Sequence, residues 1–284
     1  MRHKNKLLPF ALYIVITLTS SSLKNYAQEG WSLKASLQFS GGNYSYNNSS
    51  KIFYFYGEAS YQKNNWSFNV SVPVVAQNAG GVGQVGGMML PNGNNDEDNH
   101  YNMMTGNENN SNFMNNHSMS SFNHFGLGDI SLYGSYNIFE DNASLFSLSL
   151  NSFFKIPTAS YSLGLGTGKF DLGISATIRK MLDSYIGFLD LGYIEIGDPP
   201  NIKYNNPLSI GLGLGKFFDE GNYSLLLYYQ AYTKIIDGYP APQLLSLGFN
   251  YKINSSLTLS LIGAAGLSKI TSNFSFSSGL EWNL

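Results

Sequence analysis

The chain has no cysteine, little charge and, after residue 27, no long hydrophobic run. The lack of cysteine excludes disulfides, thiolate metal sites and a lipid-modified N-terminal Cys. Charged residues make up 12% of the chain, about half the usual share of a soluble domain. The net charge of −2 provides no basic surface, so we expect no nucleic-acid partner. No apolar run after residue 27 could cross a bilayer as a helix.

The N-terminus has the pattern of an exported protein. Arg2, Lys4 and Lys6 give a positive start, and residues 7–18 form an apolar run too short for a comfortable membrane span. Ala27 provides a small residue before a cleavage point. We therefore predict a secretory signal peptide at residues 1–27 and a mature domain at residues 28–284, with a retained membrane anchor as the alternative.

The chain is rich in aromatic residues (15%) and glycine (30 residues), and much of it alternates with period two. For example, Trp66, Phe68 and Val70 alternate with Ser67 and Asn69. A strand that crosses an outer membrane is about 9–11 residues long and alternates between a lipid face and a lumen face. The alternating segments are residues 31–40, 51–62, 65–75, 125–139, 143–157, 169–179, 184–196, 207–217, 223–236, 243–253, 257–267 and 274–284. The last segment resembles an outer-membrane insertion signal.

The connections between these segments are alternately short and long, as in outer-membrane barrels, where short turns lie in the periplasm. Both termini then lie in the periplasm, which requires an even number of strands. We predict an all-β fold, a transmembrane antiparallel up-and-down β-barrel of about 12 strands, with 10 or 14 as alternatives. The hydrocarbon core of a bilayer offers no hydrogen-bond partners for the backbone groups of an open sheet edge, so the sheet must close into a barrel. The competing architecture is a secreted soluble β-sandwich or barrel, in which the apolar faces would point inward.

The glycine-rich stretch GLGTGK at residues 164–169 does not match a phosphate site. A P-loop needs Ser or Thr after the lysine, and Phe170 stands there instead. The dinucleotide pattern needs a third glycine where Lys169 stands, and no helix is expected to follow. We interpret this stretch as a flexible outer hairpin loop.

Three short motifs carry a resemblance to a known family. They are GLGD at residues 126–129, KIPT at 155–158 and LGTGKFD at 165–171. With these motifs, residues 125–280 resemble the outer-membrane family named after the MetA pathway of phenol degradation. The resemblance implies a barrel that passes small hydrophobic or aromatic molecules. The family usually has Gly-Asp after Pro-Thr, whereas Ala159 and Ser160 follow here, which argues against a ligand role for this loop.

Residues 77–124 form a long predicted outer loop with a disordered-like composition. It is rich in Asn and holds six of the eight methionines and three of the four histidines. Thioether and imidazole ligands suit Cu(I) and Ag(I), so the loop raises a metal-binding hypothesis. The candidate ligands are Met103, Met104, Met114, His117 and Met119. The alternative is a low-complexity polar loop without bound metal, and we expect no other cofactor.

Polar residues on the less hydrophobic parity are expected to line the lumen. The charged candidates are Glu58, Asp129, Lys155, Asp171, Arg179, Asp190, Lys234 and Glu281. Both signs occur, so no ring of one charge selects ions. Tyr54, Tyr133, Tyr228 and Tyr232 are expected to fill part of the interior, and the charges could equally be paired structural groups.

These features favour a channel of the outer membrane of a Gram-negative bacterium over an enzyme. No histidine lies on a predicted strand, so a Ser–His pair has no strand-borne base. We expect passive passage of small hydrophobic or aromatic compounds. The alternatives are a Cu(I)- or Ag(I)-handling protein and a non-transporting structural or adhesive barrel. The expected partners are outer-membrane lipid and lipopolysaccharide, the barrel-assembly machinery during insertion, and an unknown small solute.

Overall fold

The computed structural model describes residues 29–44, 50–78, 80–94, 122–141 and 145–284, which are almost entirely strands and turns. No helix in these ranges is long and apolar enough to cross a membrane. The strands are β1 (Gly30–Gly42), β2 (Ser50–Lys63), β3 (Trp66–Gln77), β4 (Val82–Val85), β5 (Met88–Pro91), β6 (His124–Leu127), β7 (Ile130–Asp141), β8 (Phe146–Ile156), β9 (Asp171–Leu182), β10 (Tyr185–Ile196), β11 (Leu208–Phe218), β12 (Tyr223–Tyr232), β13 (Gln243–Lys252), β14 (Leu257–Gly266) and β15 (Phe274–Asn283). A short 3₁₀ turn, Asp219–Gly221, joins β11 to β12.

The strands form one closed antiparallel barrel. Each strand of the wall pairs with the next wall strand along the chain, and β15 pairs with β1. β4 and β5 form a separate two-stranded sheet. β6 and β7 both pair with β3 and together make one crossing, so the wall has 12 strands. The predicted fold class and strand number are therefore confirmed.

The apolar side chains of the wall point outward. On β3, Trp66, Phe68 and Val70 are exposed, whereas Asn69 and Ser71 are buried inside the barrel. The same alternation recurs on the other wall strands, which place many Leu, Ile and Phe side chains on the outer surface. A soluble barrel would bury this face, whereas a membrane barrel exposes it to acyl chains. The fold is therefore that of an outer-membrane barrel.

A glycine row on β11 makes room for large side chains in the interior. A Cβ at Gly213 would lie 1.8 Å from a ring carbon of Phe188, and one at Gly211 would lie 2.0 Å from the Tyr228 hydroxyl. Both distances are far inside van der Waals contact, so these positions require glycine while Phe188 and Tyr228 remain where they are. The alternation of Gly with Leu on β11 thus sets an apolar outer face against inward-pointing aromatic rings of β10 and β12.

A β-bulge separates β6 from β7. The pairing of β3 shifts by one residue between Ser71–Ser131 and Val74–Leu127. Across this break, Gly128 donates its N–H to the Pro73 carbonyl at 2.8 Å. The Thr158 hydroxyl donates to the Gly128 carbonyl at 2.7 Å and accepts from the N–H of Ile130 at 3.0 Å. One side chain thus satisfies the backbone groups that the interrupted ladder leaves free.

Candidate functional site: the lumen and its buried hairpin

The β4–β5 hairpin lies inside the barrel, and every residue of both strands is buried. Gly86 and Gly87 form its turn with positive φ angles of 55° and 79°, the conformation that a two-residue turn needs. The Tyr204 hydroxyl donates to the Pro91 carbonyl at 2.5 Å and so ties β5 to an outer loop. The structure therefore differs from the expected disordered-like loop at residues 82–91, because these short apolar strands fill the outer half of the lumen.

A buried ion-pair cluster holds the hairpin to the wall. The Lys155 ammonium lies 2.8 Å from Asp171 and 3.5 Å from Asp129, and all three side chains are fully buried. Lys155 also donates to the Gln84 carbonyl of β4 at 2.8 Å and to the Thr167 hydroxyl at 3.0 Å. The contacts to Asp171, Gln84 and Thr167 use the three protons of the ammonium, and Asp129 interacts with it as a nearby opposite charge. We refer to Asp129, Lys155 and Asp171 as the latch.

The two carboxylates of the latch also bind backbone N–H groups. Asp171 accepts from Gly86 at the hairpin turn at 2.6 Å and from Gly197 in an outer loop at 3.1 Å. Asp129 accepts from Ala159 at 2.9 Å. The latch therefore joins the hairpin, the wall and two outer loops. Each latch residue belongs to one of the three sequence motifs. Asp129 ends GLGD, Lys155 begins KIPT and Asp171 ends LGTGKFD.

The glycine-rich loop packs against the hairpin backbone. A Cβ at Gly164 would lie 2.8 Å from the Cα of Gly80, and one at Gly83 would lie 3.0 Å from the Cα of Gly166. The Asn92 amide donates to the Gly164 carbonyl at 2.9 Å. Close backbone approach thus accounts for the small residues of GLGTGK. Residues 164–167 of this stretch are buried and support the hairpin, a packing role that the composition does not predict.

The inner wall carries an apolar sector, which also contains buried polar side chains such as Thr177, Asp190 and Gln230, and a polar sector. The apolar sector draws on β7, β8 and β10 to β14, and its buried apolar side chains form one cluster with the hairpin. Its wall members are Tyr133, Phe153, Ile186, Phe188, Ile194, Ile196, Phe217, Leu226, Tyr228, Tyr232, Leu244, Ile262 and Ala264. The polar sector, on β1 and β15, presents Lys34, Ser36, Gln38, Ser277 and Glu281. The lumen is thus lined by hydrocarbon and aromatic groups on one side.

Seven of the predicted charged lining residues lie on the inner side of the wall. Besides the latch, Glu58 lies 3.7 Å from Lys34 and Glu281 is on the neighbouring strand. Asp190 accepts from Thr177 and from Tyr228, at 2.5 and 2.9 Å. Arg179 is half-buried and donates to Ser149 at 3.4 Å. The expectation for Lys234 needs correction, because β12 ends at Tyr232 and Lys234 is exposed in the following loop.

Other predictions fall outside the described residues. These are the signal peptide at residues 1–27 and the metal candidates Met103, Met104, Met114, His117 and Met119. Within the ranges that the structure does describe, no cluster of His, Asp and Glu could hold a metal ion. The Cu(I) hypothesis therefore stays a prediction that concerns residues 95–121 alone.

The comparisons with known proteins agree with this architecture. Residues 78–284 match the family described as "Putative MetA-pathway of phenol degradation", and the chain belongs to this family. The COG4313 outer membrane channel from Pseudomonas putida F1 is similar in structure, with a TM-score of 0.59 at 14% identity over 93% of this chain and 100% of that chain. A KdgM porin in complex with disordered oligogalacturonate has a TM-score of 0.50 at 8% identity over 89% of this chain and 99% of that chain.

Identities this low show the fold alone. No curated protein matches the chain. The fold that the chain shares with the COG4313 channel confirms the predicted outer-membrane barrel. Neither the family match nor these neighbours point to an enzyme, in agreement with the prediction of a non-enzymatic protein.

Proposed function

We propose that this protein is an outer-membrane channel through which small hydrophobic or aromatic compounds cross passively. The observation that carries the proposal is the apolar sector of the inner wall, where Phe188, Leu244 and Ile262 point into the barrel. The lumen of a barrel for polar solutes is polar. Transfer of an apolar solute from water to this wall is favourable in free energy, because apolar surface of both the solute and the wall is removed from water. The family's description in terms of phenol degradation supports the same class of solute.

Solute uptake by whole cells tests this proposal. Cells with a lipopolysaccharide outer leaflet, with and without the protein, are supplied with radiolabelled benzyl alcohol or with arabinose. We expect the protein to raise the initial uptake rate of benzyl alcohol and to have much less effect on arabinose. Equal benzyl alcohol uptake in cells with and without the protein would contradict the proposal.

Two variants on the inner face of β13 test whether solute uptake depends on the apolar sector. Leu244→Asn places an amide on the apolar sector, and Ser246→Asn places the same amide two residues away at a position that is already polar. We expect Leu244→Asn to reduce benzyl alcohol uptake and Ser246→Asn to leave it unchanged. The heat-dependent shift in gel mobility shows that both variants have closed as barrels.

A further inference from the structure

The hairpin spans the lumen and contacts different walls with its two faces. One face presents Val82 and Met89, which pack in a cluster with Tyr54 and Val75 of β2 and β3. The Tyr54 hydroxyl lies 2.6 Å from the Met89 sulfur. In a two-stranded sheet successive side chains alternate between faces, so the other face presents Val85, Met88 and Leu90. These three residues belong to the cluster of the apolar sector.

The far wall lies directly against the hairpin turn. A Cβ at Gly86 would lie 3.2 Å from side-chain carbons of both Ile194 and Ile196 on β10. The hairpin side chains therefore occupy an apolar space that is bounded by Tyr54 and Val75 on one side and by the two isoleucines on the other. We refer to this space as the outer seat.

The hairpin is not part of the barrel wall. It forms its own two-stranded sheet, and its strands share no ladder with the wall in the described residues. Its polar attachments include the latch contacts to Gln84 and Gly86 and the bonds from Tyr204 and Asn92. Methionine side chains are flexible and fill irregular apolar spaces, as those of Met88 and Met89 do here.

We infer that the outer seat is a binding site for a small apolar or aromatic solute and that the hairpin is its resident occupant. A solute that enters from outside displaces Met88 and Met89 from between the two walls, and the hairpin withdraws from the lumen as the solute passes. The latch sets the resting position by binding Gln84 and Gly86. This inference rests on the proposed function, since it names the place where the transported solute first binds.

A reversible cross-link between the hairpin and the wall tests this inference. The chain has no cysteine, so Tyr54→Cys with Met89→Cys supplies the only two thiols. A bis-methanethiosulfonate reagent with a short spacer joins them, and dithiothreitol releases them. We expect cross-linking to reduce benzyl alcohol uptake by roughly tenfold and reduction to restore it, because a tethered hairpin cannot populate the displaced state.

The matched control joins two wall residues and leaves the hairpin free. Tyr54→Cys with Tyr56→Cys serves here, because the two rings stack within β2 with their centroids 5.3 Å apart. Cross-linking this pair should leave uptake unchanged. If the hairpin cross-link also leaves uptake unchanged, the outer seat is not on the solute path and the inference is wrong, although the channel stands. If the uncross-linked wild-type protein does not raise uptake, the proposed function fails and the inference fails with it.

Thiol accessibility gives a second readout that does not depend on transport. Met89→Cys alone should react slowly with a membrane-impermeant maleimide, because this position is buried. We expect benzyl alcohol to raise the labelling rate severalfold and arabinose to leave it unchanged. A labelling rate that does not respond to benzyl alcohol, in a protein that still transports it, would overturn displacement by the solute.

Discussion

At the scale of single residues, the loss of Lys155 should cost the barrel stability. Lys155→Met removes the ammonium between Asp171 and Asp129 and leaves two carboxylates buried without a counter-charge. Removing one partner of a buried ion pair typically destabilises a protein by about 3–5 kcal/mol. We expect a loss of this size in the free energy of unfolding. Urea unfolding in lipid vesicles, followed by tryptophan fluorescence, measures it.

Two controls separate the charge effect from a general effect of losing a lysine. Lys169 is exposed in the loop just before β9, so Lys169→Met should change the unfolding free energy little. Combining Lys155→Met with Asp129→Asn and Asp171→Asn removes all three charges and should recover part of the loss. A single Lys155→Met variant as stable as the wild-type protein would show that the latch does not hold the structure together.

At the scale of elements, the β6–β7 bulge depends on one hydroxyl. Thr158→Val keeps the shape of the side chain but removes the bonds to the Gly128 carbonyl and the Ile130 N–H. Each lost bond costs about 1 kcal/mol, and more if the backbone group stays unpaired. We expect a loss of about 2 kcal/mol in the free energy of unfolding, measured by urea unfolding in vesicles.

Thr158→Ser is the matched control for this prediction, because it retains the hydroxyl. It should remain close to the wild-type protein in the same urea experiment. If Thr158→Val and Thr158→Ser are equally stable, the backbone groups at the bulge find other partners and the hydroxyl has no structural role.

Period-two alternation was sufficient to locate the wall strands from the sequence. A membrane strand has one lipid face and one lumen face, so Trp66, Phe68 and Val70 mark a strand even without any knowledge of its partners. Strand ends were harder to predict, since alternation continues past the last ladder pair. For this reason alternation alone predicts Lys234 on a strand, although β12 ends at Tyr232.

Period-two alternation does not detect the β4–β5 hairpin, because neither of its faces is exposed to solvent or lipid. β4 and β5 are buried on both sides, so residues 82–91 do not alternate, and they are followed by a long polar stretch. A local signal was present, since Gly86-Gly87 between two short apolar runs is a two-residue hairpin turn. The latch could not be derived from spacing either. Asp129, Lys155 and Asp171 are far apart in the chain, and only the family motifs singled them out.

At the scale of the whole molecule, the outward apolar surface should tolerate charge only near its edges. Leu247 lies in the middle of β13 on the outer face, and Leu182 is the last residue of β9 on the same face. We expect Leu247→Arg to destabilise the inserted barrel by about 2–4 kcal/mol and Leu182→Arg by about 0–1 kcal/mol. Urea unfolding in vesicles compares the two variants. Equal costs would mean that the outer face does not lie in hydrocarbon.

The join between β1 and β15 has a consequence for how this barrel comes into being. Ser32 pairs with Asn283 and Gly41 with Phe274, so the ring is completed by the contacts most distant along the polypeptide. Contacts between such distant residues form slowly, because the chain loses the conformational entropy of a large loop before these contacts stabilise it. Until that moment, two bare strand edges are open to any neighbouring copy. Pairing of β15 with β1 is therefore the step that completes the barrel. A delay in this step favours association between chains over closure of a single barrel.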